Sequence, residues 1–122
     1  SGSGHAVVMD GAPEAGGRNL GVRPMEMLLL GLGGCTAFDI VMILEKGREQ
    51  VTSCEIELDG ERASVEPKVY THVKMTYKLR GKNLKPAAVE RAVKLSAEKY
   101  CSASKMFEKT ATLEHAWTIE ED

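Results

Sequence analysis

Residues 24–46 read PMEMLLLGLGGCTAFDIVMILEK, and the window from Met27 to Leu44 is the most apolar part of the chain. Pro24 suits the first position of a helix, where its missing N–H costs nothing, and Glu26 suits the positive end of the helix dipole. A helix from Pro24 to Lys46 would be about 35 Å long. Because this helix is apolar on nearly all sides, it must be covered on nearly all sides, which predicts a central position in the fold.

Three glycines, Gly31, Gly33 and Gly34, interrupt this predicted helix. Each of them weakens a helix interior by roughly 0.8 to 1.0 kcal/mol relative to alanine. We therefore expect another part of the structure to approach the helix backbone closely at these positions.

The one full charge in the apolar window, Asp39, argues against a membrane span. A carboxylate at the centre of a membrane-spanning helix costs about 2.5 to 3.5 kcal/mol on insertion scales. The first residues, SGSGH, have neither the basic start nor the apolar run of a signal peptide. The sequence thus predicts the core helix of a cytoplasmic protein that has no membrane partner.

Composition narrows the function classes further. The chain has 122 residues, of which 43% are hydrophobic and 28% are charged, which predicts one domain with a buried core. The formal net charge is −2 and no stretch forms a basic patch, so nucleic acid is not an expected partner. Three cysteines, an odd number, do not resemble the disulfide framework of a secreted protein, and any chemistry they perform should be redox or catalytic.

Hydrophobic periodicity and turn residues predict the remaining elements. The predicted strands are His5–Asp10, Val51–Gly60, Lys68–Arg80 and Ala111–Ile119. The second and third strands should pair in an antiparallel manner. A loop should cover Gly11–Gly21, a second helix should run from Pro86 to about Cys101, and Ser102 should cap a short helix that ends at Phe107.

Two cysteines are candidate reactive residues. Cys35 lies in the middle of the apolar helix, and Cys101 follows the second helix. A free cysteine is more often a packing residue than a reactive one, and Cys54, on the core face of a strand, is expected to be packing only. The three histidines are far apart and show no metal-binding spacing, so no metal site is predicted.

Two segments together point to a known family. The run from Pro24 to Asp39 resembles the first-cysteine helix of the OsmC/Ohr family of thiol peroxidases, and the run from Arg91 to Ser102 is similar to its second-cysteine segment. The resemblance extends from about Gly21 to Trp117, and within the family it is to the YhfA-type branch.

This resemblance implies an α+β fold in which residues 1–122 form a single OsmC-like domain, with the family's N-terminal strand hairpin absent or truncated. It also implies an intertwined homodimer, in which the two long helices are wrapped by antiparallel sheets and their glycines lie where the helices cross. Leu32 would be among the residues at the interface.

The resemblance also implies a reaction. Cys35 would attack an organic hydroperoxide as a thiolate and become a sulfenic acid, which Cys101 would convert to a disulfide. A dithiol or a small thiol would then restore the pair, and no cofactor is implied.

The sequence departs from the family pattern at two places. The family's catalytic glutamate follows the proline directly, whereas here Met25 occupies that position and Glu26 comes about 100° further round the helix. The family's catalytic arginine lies on the N-terminal hairpin. Either the protein's true N-terminus precedes the first residue of this sequence and carries that arginine, or Arg18 or Arg23 replaces it, or the site has no arginine. This matters because a nearby cation favours the thiolate of a buried cysteine.

The resemblance and the departures from it imply two possible functions. The first is a peroxidase that defends against oxidative stress, with Cys35, Cys101 and Glu26 as its site residues. The alternative is a non-catalytic OsmC-like protein that binds a small lipophilic ligand at the dimer interface, with the cysteines serving as packing or as a slow redox switch. The first function requires the two cysteines to lie within reach of a disulfide.

Overall fold

The computed structural model describes residues 1–122 as helices packed on one face of a three-stranded sheet. The elements in chain order are α1 (Pro24–Lys46), β1 (Gln50–Arg62), β2 (Tyr70–Lys82), α2 (Pro86–Leu95), a π-helical turn (Ser96–Tyr100), α3 (Ser102–Phe107) and β3 (Thr112–Glu121). A short 3-10 turn (Pro13–Ala15) precedes them. The α+β class is confirmed, α1 has the bounds that the sequence predicts, and α3 ends at Phe107 as predicted.

The sheet has the order β1-β2-β3 and is mixed. β1 and β2 pair in an antiparallel manner as expected, whereas β3 runs parallel to β2. The expectation of purely antiparallel sheets is therefore wrong for β3. The reason is the connection: the chain leaves β2, crosses back through α2 and α3, and so enters β3 in the same direction as β2.

The N-terminal segment does not form the predicted strand His5–Asp10. It makes a single parallel bridge between Met9 and Val22. The Asp10 carboxylate instead accepts the backbone N–H groups of Leu20, Arg18 and Gly11, which lowers the pKa of Asp10. These bonds hold the segment in a loop conformation, and it pairs with another part of the chain only at that bridge.

The α1 helix buries one side against the rest of the chain and leaves the other side exposed. The buried side includes Leu32, Ile40 and Leu44. Leu32, expected at a subunit interface, is fully buried in the core of this chain. On the opposite side Phe38 is 74% exposed. One chain therefore covers only part of the helix that the sequence predicts to be covered nearly all round.

By length and composition α1 could cross a membrane. A core helix of a soluble protein satisfies the same criteria, so a single helix of this kind is weak evidence for a membrane protein. Asp39 lies on its buried side, and the helix packs on β1 and α2. These contacts agree with the core-helix interpretation.

Only one of the three α1 glycines meets a close neighbour in the chain. A Cβ atom added at Gly33 would lie 2.7 Å from the Leu58 Cδ1 atom of β1. Gly31 and Gly34 have open space in front of them. The close approach expected at all three positions is thus present at Gly33, and it involves a side chain of the sheet rather than a second helix.

The β2 strand supplies much of the core. Its inward face consists of Val73, Met75, Tyr77 and Leu79, as the alternation predicts. Towards the start of the strand Tyr70 is buried and Thr71 is exposed, because the pairing with β1 shifts between Glu61 and Arg62. The opposite face of the sheet carries exposed ion pairs, Lys78–Glu57 and Arg80–Glu120, and faces solvent.

Candidate functional site

The fold brings Cys35 and Cys101 together. Cys35 lies in the middle of α1, Cys101 lies between the π-helical turn and α3, and their Sγ atoms are 3.0 Å apart. A disulfide has an S–S distance of about 2.05 Å, so an approach of about 1 Å would join the two sulfurs. All three cysteines are free thiols, and Cys54 lies on β1, outside this contact.

The π-helical turn positions Cys101. The backbone N–H of Cys101 donates to the Ser96 carbonyl oxygen at 2.8 Å and closes the turn. The next residues form α3, whose N-cap is Cys101 rather than the predicted Ser102, because the extended backbone (φ −78°, ψ 104°) falls at Cys101. Its sulfur accepts the backbone N–H of Ser104 at 3.3 Å. Short π-helical segments often lie at functional sites.

The Cys101 thiol is almost completely enclosed, being 1% exposed. Burial is the largest cause that raises its pKa, and the Cys35 thiol raises it further, while Ser104 acts in the opposite direction. The Ser104 hydroxyl is itself fully buried and has no hydrogen-bond partner. It lies near the Cys101 sulfur, so it is a donor available to that sulfur.

Asp39 is a third member of the site that the sequence reasoning missed. It follows Cys35 by four residues and therefore lies on the same side of α1. One of its carboxylate oxygens and the two cysteine sulfurs all lie within 4.8 Å of one another. Asp39 is 9% exposed, its Oδ2 accepts a hydrogen bond from the Ser96 hydroxyl at 3.1 Å, and it forms no salt bridge. The spacing Cys35-x-x-x-Asp39 was the signal that could have identified it.

Glu26 does not reach the sulfurs in this chain. Its Oε1 accepts the backbone N–H of Arg23 at 2.8 Å and so caps the start of α1. Nine residues separate Glu26 from Cys35, a rise of about 13 Å along the helix. Glu26 therefore has a structural role that the sequence-based assignment to the site did not include.

Neither candidate arginine forms a hydrogen bond to the sulfur pair. The Arg23 guanidinium donates to the Gly21 carbonyl and to the side chain of Asn19. Arg18 donates its backbone N–H to Asp10 in the N-terminal loop. No cation contributes to the pKa of the Cys101 thiol. Within this chain, the sulfur pair therefore has a carboxylate beside it and no positive charge in contact.

A groove of about 860 Å³ runs between the exposed side of α1 and the start of β1. Its apolar lining includes Phe38, Val41, Met42 and Val51, and Cys54 also contributes to its wall. Burial raises the pKa of the Cys54 thiol. Cys54 thus lines an apolar groove, while Cys35 and Cys101 form the separate sulfur pair.

A buried tyrosine and a histidine form a second polar pair in the core. The Tyr77 hydroxyl lies 2.7 Å from His115 Nδ1, and the two rings stack. Burial raises the pKa of Tyr77 and lowers the pKa of His115. Both groups are therefore neutral at neutral pH.

Comparison with known proteins agrees with this arrangement. The family model described as OsmC-like protein matches residues 16–116. This chain belongs to the OsmC-like family. It is 45% identical to protein YhfA of Escherichia coli K12, over 98% of this chain and 86% of that protein.

Solved structures extend the likeness. A hypothetical protein from Aquifex aeolicus VF5 has a TM-score of 0.80 and is 36% identical to this chain. The match covers 87% of this chain and 79% of the Aquifex chain. The organic hydroperoxide resistance protein OhrB of Bacillus subtilis has a TM-score of 0.63 at 19% identity. The match covers 91% of this chain and 79% of the OhrB chain. The second likeness shows that this OsmC-like protein shares its fold with a hydroperoxide resistance protein.

Proposed function

We propose that this OsmC-like protein is a cytoplasmic, homodimeric thiol peroxidase that reduces organic hydroperoxides. The observation that carries the proposal is the 3.0 Å contact between the Cys35 and Cys101 sulfurs, one on each of two separate elements. A cytoplasmic location would keep the pair in the dithiol form between turnovers. Membership of the OsmC-like family supports the same reaction.

The reaction follows from the two thiols. The Cys35 thiolate attacks one peroxide oxygen, the O–O bond breaks, and the alcohol leaves with a proton while the sulfur becomes a sulfenic acid. The Cys101 sulfur then attacks the Cys35 sulfur, so that a disulfide forms and water departs. A dithiol or small thiol reduces the disulfide and is itself oxidised. Cys35 is the half-buried member of the pair and Cys101 is the enclosed one, which fits the order of these roles.

Activation of Cys35 in this chain would depend on a neighbouring thiol rather than on a cation. The Cys101 thiol donates its hydrogen towards the Cys35 sulfur. Because burial raises the pKa of Cys101, that thiol stays protonated and remains a donor at neutral pH. A hydrogen bond to the charged form stabilises it. The Asp39 carboxylate opposes this effect, so we expect a slow peroxidase.

The homodimer is supported by the uncovered side of α1. Leu30 and Phe38 are more than half exposed there, and Gly31 and Gly34 leave the helix backbone open. An exposed apolar surface of this kind commonly marks a protein–protein contact. A second copy of α1 would cover this side of the helix.

The test is intact-mass and free-thiol analysis after one equivalent of cumene hydroperoxide is added to the reduced protein. We expect the wild type to lose two free thiols, and its mass to fall by that of two hydrogen atoms, as the disulfide forms. Cys35→Ser should not consume peroxide, and Cys101→Ser should stop at the sulfenic acid or a higher oxide. Cys54→Ser is the matched control and should behave as the wild type.

The same assay compares oxidants. Because the surroundings of α1 are apolar, cumene hydroperoxide should react faster than hydrogen peroxide at equal concentration. A wild type that keeps all its thiols under cumene hydroperoxide, on the time scale of an unactivated thiol, would exclude the peroxidase.

The apolar groove favours one second candidate, the binding of a small lipophilic ligand. Cys54 reports on this groove because it lines the wall. In the double variant Cys35→Ser, Cys101→Ser, alkylation of Cys54 by N-ethylmaleimide should slow as a medium-chain fatty acid is added. An alkylation rate that does not change across the titration would remove this candidate.

A further inference from the structure

The sulfur pair and Asp39 together provide three potential metal-ligand atoms, and the Asp39 charge among them has no salt-bridge partner. Cys35 Sγ, Cys101 Sγ and an Asp39 carboxylate oxygen lie within 4.8 Å of one another. They come from α1 and from the junction before α3, so the tertiary fold brings them together. Asp39 is buried and has no salt bridge. Buried charges in proteins are usually paired or bound to a metal.

Neighbouring groups donate hydrogen bonds that would orient these three atoms as metal ligands. The Ser96 hydroxyl donates to Asp39 Oδ2 and orients the carboxylate. The backbone N–H of Ser104 donates to the Cys101 sulfur, and the Ser104 hydroxyl beside it is fully buried without any partner. A metal-bound thiolate accepts hydrogen bonds more strongly than a thiol does, so it would give this orphan hydroxyl an acceptor.

We propose that the reduced protein binds one zinc ion per chain through the thiolates of Cys35 and Cys101 and the carboxylate of Asp39. Zinc takes sulfur and oxygen ligands in a tetrahedral arrangement. A tetrahedral site needs S–S and S–O separations of about 3.8 Å and about 3.5 Å, given Zn–S near 2.3 Å and Zn–O near 2.0 Å. The sulfurs, now 3.0 Å apart, would move apart by less than 1 Å, and water would take the fourth position.

A divalent cation would offset most of the negative charge at this place. Two thiols lose two protons and, with the carboxylate, present three negative charges to an ion that carries two positive charges. The cation replaces the positive charge that neither Arg18 nor Arg23 supplies. The histidine spacing on which sequence reasoning about metals relied is not involved, because the ligands come from Cys-x-x-x-Asp on one helix and a distant cysteine.

The experiment uses the reduced full chain without peroxide, so its result is independent of the proposed peroxidase. Zinc is titrated against a chromophoric chelator, and cobalt(II) is added in parallel because its thiolate complexes absorb in the near ultraviolet. We expect one zinc per chain, the release of two protons, and a cobalt thiolate band.

The variants locate the site. Cys35→Ser and Cys101→Ser should each weaken zinc binding by more than about 100-fold, beyond the range of outer-shell changes. Asp39→Asn, which keeps an oxygen for Ser96, should weaken it by at least about 10-fold, with the wild-type melting temperature as the check on folding. Cys54→Ser is the control and should bind zinc normally.

Two results would overturn the site. One is a wild type that binds no zinc in competition with a micromolar chelator. The other is binding that survives loss of either Cys35 or Cys101, or that is lost in Cys54→Ser, since the zinc would then be held by other groups. If zinc binds as expected while peroxide leaves the thiols intact, the metal site stands and the peroxidase does not.

Discussion

Replacing Phe38 by alanine tests whether the exposed side of α1 is the dimer interface. Phe38 is 74% exposed, so about three-quarters of its surface is still available for burial by a second chain. Complete burial of a phenylalanine side chain contributes roughly 1.5 to 3 kcal/mol, so one Phe38 would contribute roughly 1 to 2 kcal/mol. A two-fold symmetric dimer contains this residue twice. The substitution should therefore weaken the dimer by about 2 to 4 kcal/mol, or about 30-fold to 1,000-fold in Kd.

The folding of one chain should hardly respond to this change. The side chain makes little contact within the chain, and alanine has the higher helix propensity. Sedimentation analysis over a dilution series measures the Kd, and circular dichroism confirms that the helix is retained. Val65→Ala is the control, because Val65 is an apolar residue of similar exposure, 70%, in the loop between β1 and β2 and outside α1.

The reasoning fails under either of two results. Wild-type protein that remains monomeric at high micromolar concentration would show that this side of α1 has no second copy on it. A Phe38→Ala dimer with the wild-type Kd would place the interface elsewhere.

Three further predictions concern the helix backbone and the pH dependence of stability. Gly31→Ala and Gly34→Ala should each raise the stability of the monomer by up to about 1 kcal/mol, since nothing in the chain opposes the added methyl group. Both should weaken the dimer if the two helix backbones cross there. Chemical denaturation measures the monomer stability, and sedimentation measures the Kd of the dimer. Because burial lowers the pKa of His115, the unfolded state binds more protons at acidic pH, so the free energy of unfolding should fall as the pH is lowered below about 6.5, and His115→Gln should reduce this fall. Because burial raises the pKa values of Cys54 and Cys101, the unfolded state loses protons first at alkaline pH, so stability should fall above about pH 8.5, and Cys54→Ser should lessen the loss in chemical denaturation.

Local patterns in the sequence were sufficient to predict most of the elements. The proline at Pro24, the apolar run behind it and the alternation in β1 and β2 act within a few residues of one another, so the α1 bounds and the antiparallel β1–β2 pair follow from them. Position along the chain singled out Cys35 and Cys101 from the three cysteines, and the resemblance to the OsmC/Ohr family supplied the roles expected of them. That resemblance also led to Glu26, which in this chain caps α1.

Long-range contacts decided the rest. The parallel direction of β3 depends on where the chain returns after α2 and α3. No glycine or proline marks the π-helical turn in the sequence. The turn nevertheless brings the Ser96 hydroxyl to the Asp39 carboxylate and the Cys101 sulfur to the Cys35 sulfur. The sequence alone presents Asp39 as a lone charge in an apolar helix. Only the packing of that helix against a junction more than sixty residues away places its carboxylate beside two sulfurs, because a helix sets which residues share a side but not what that side meets.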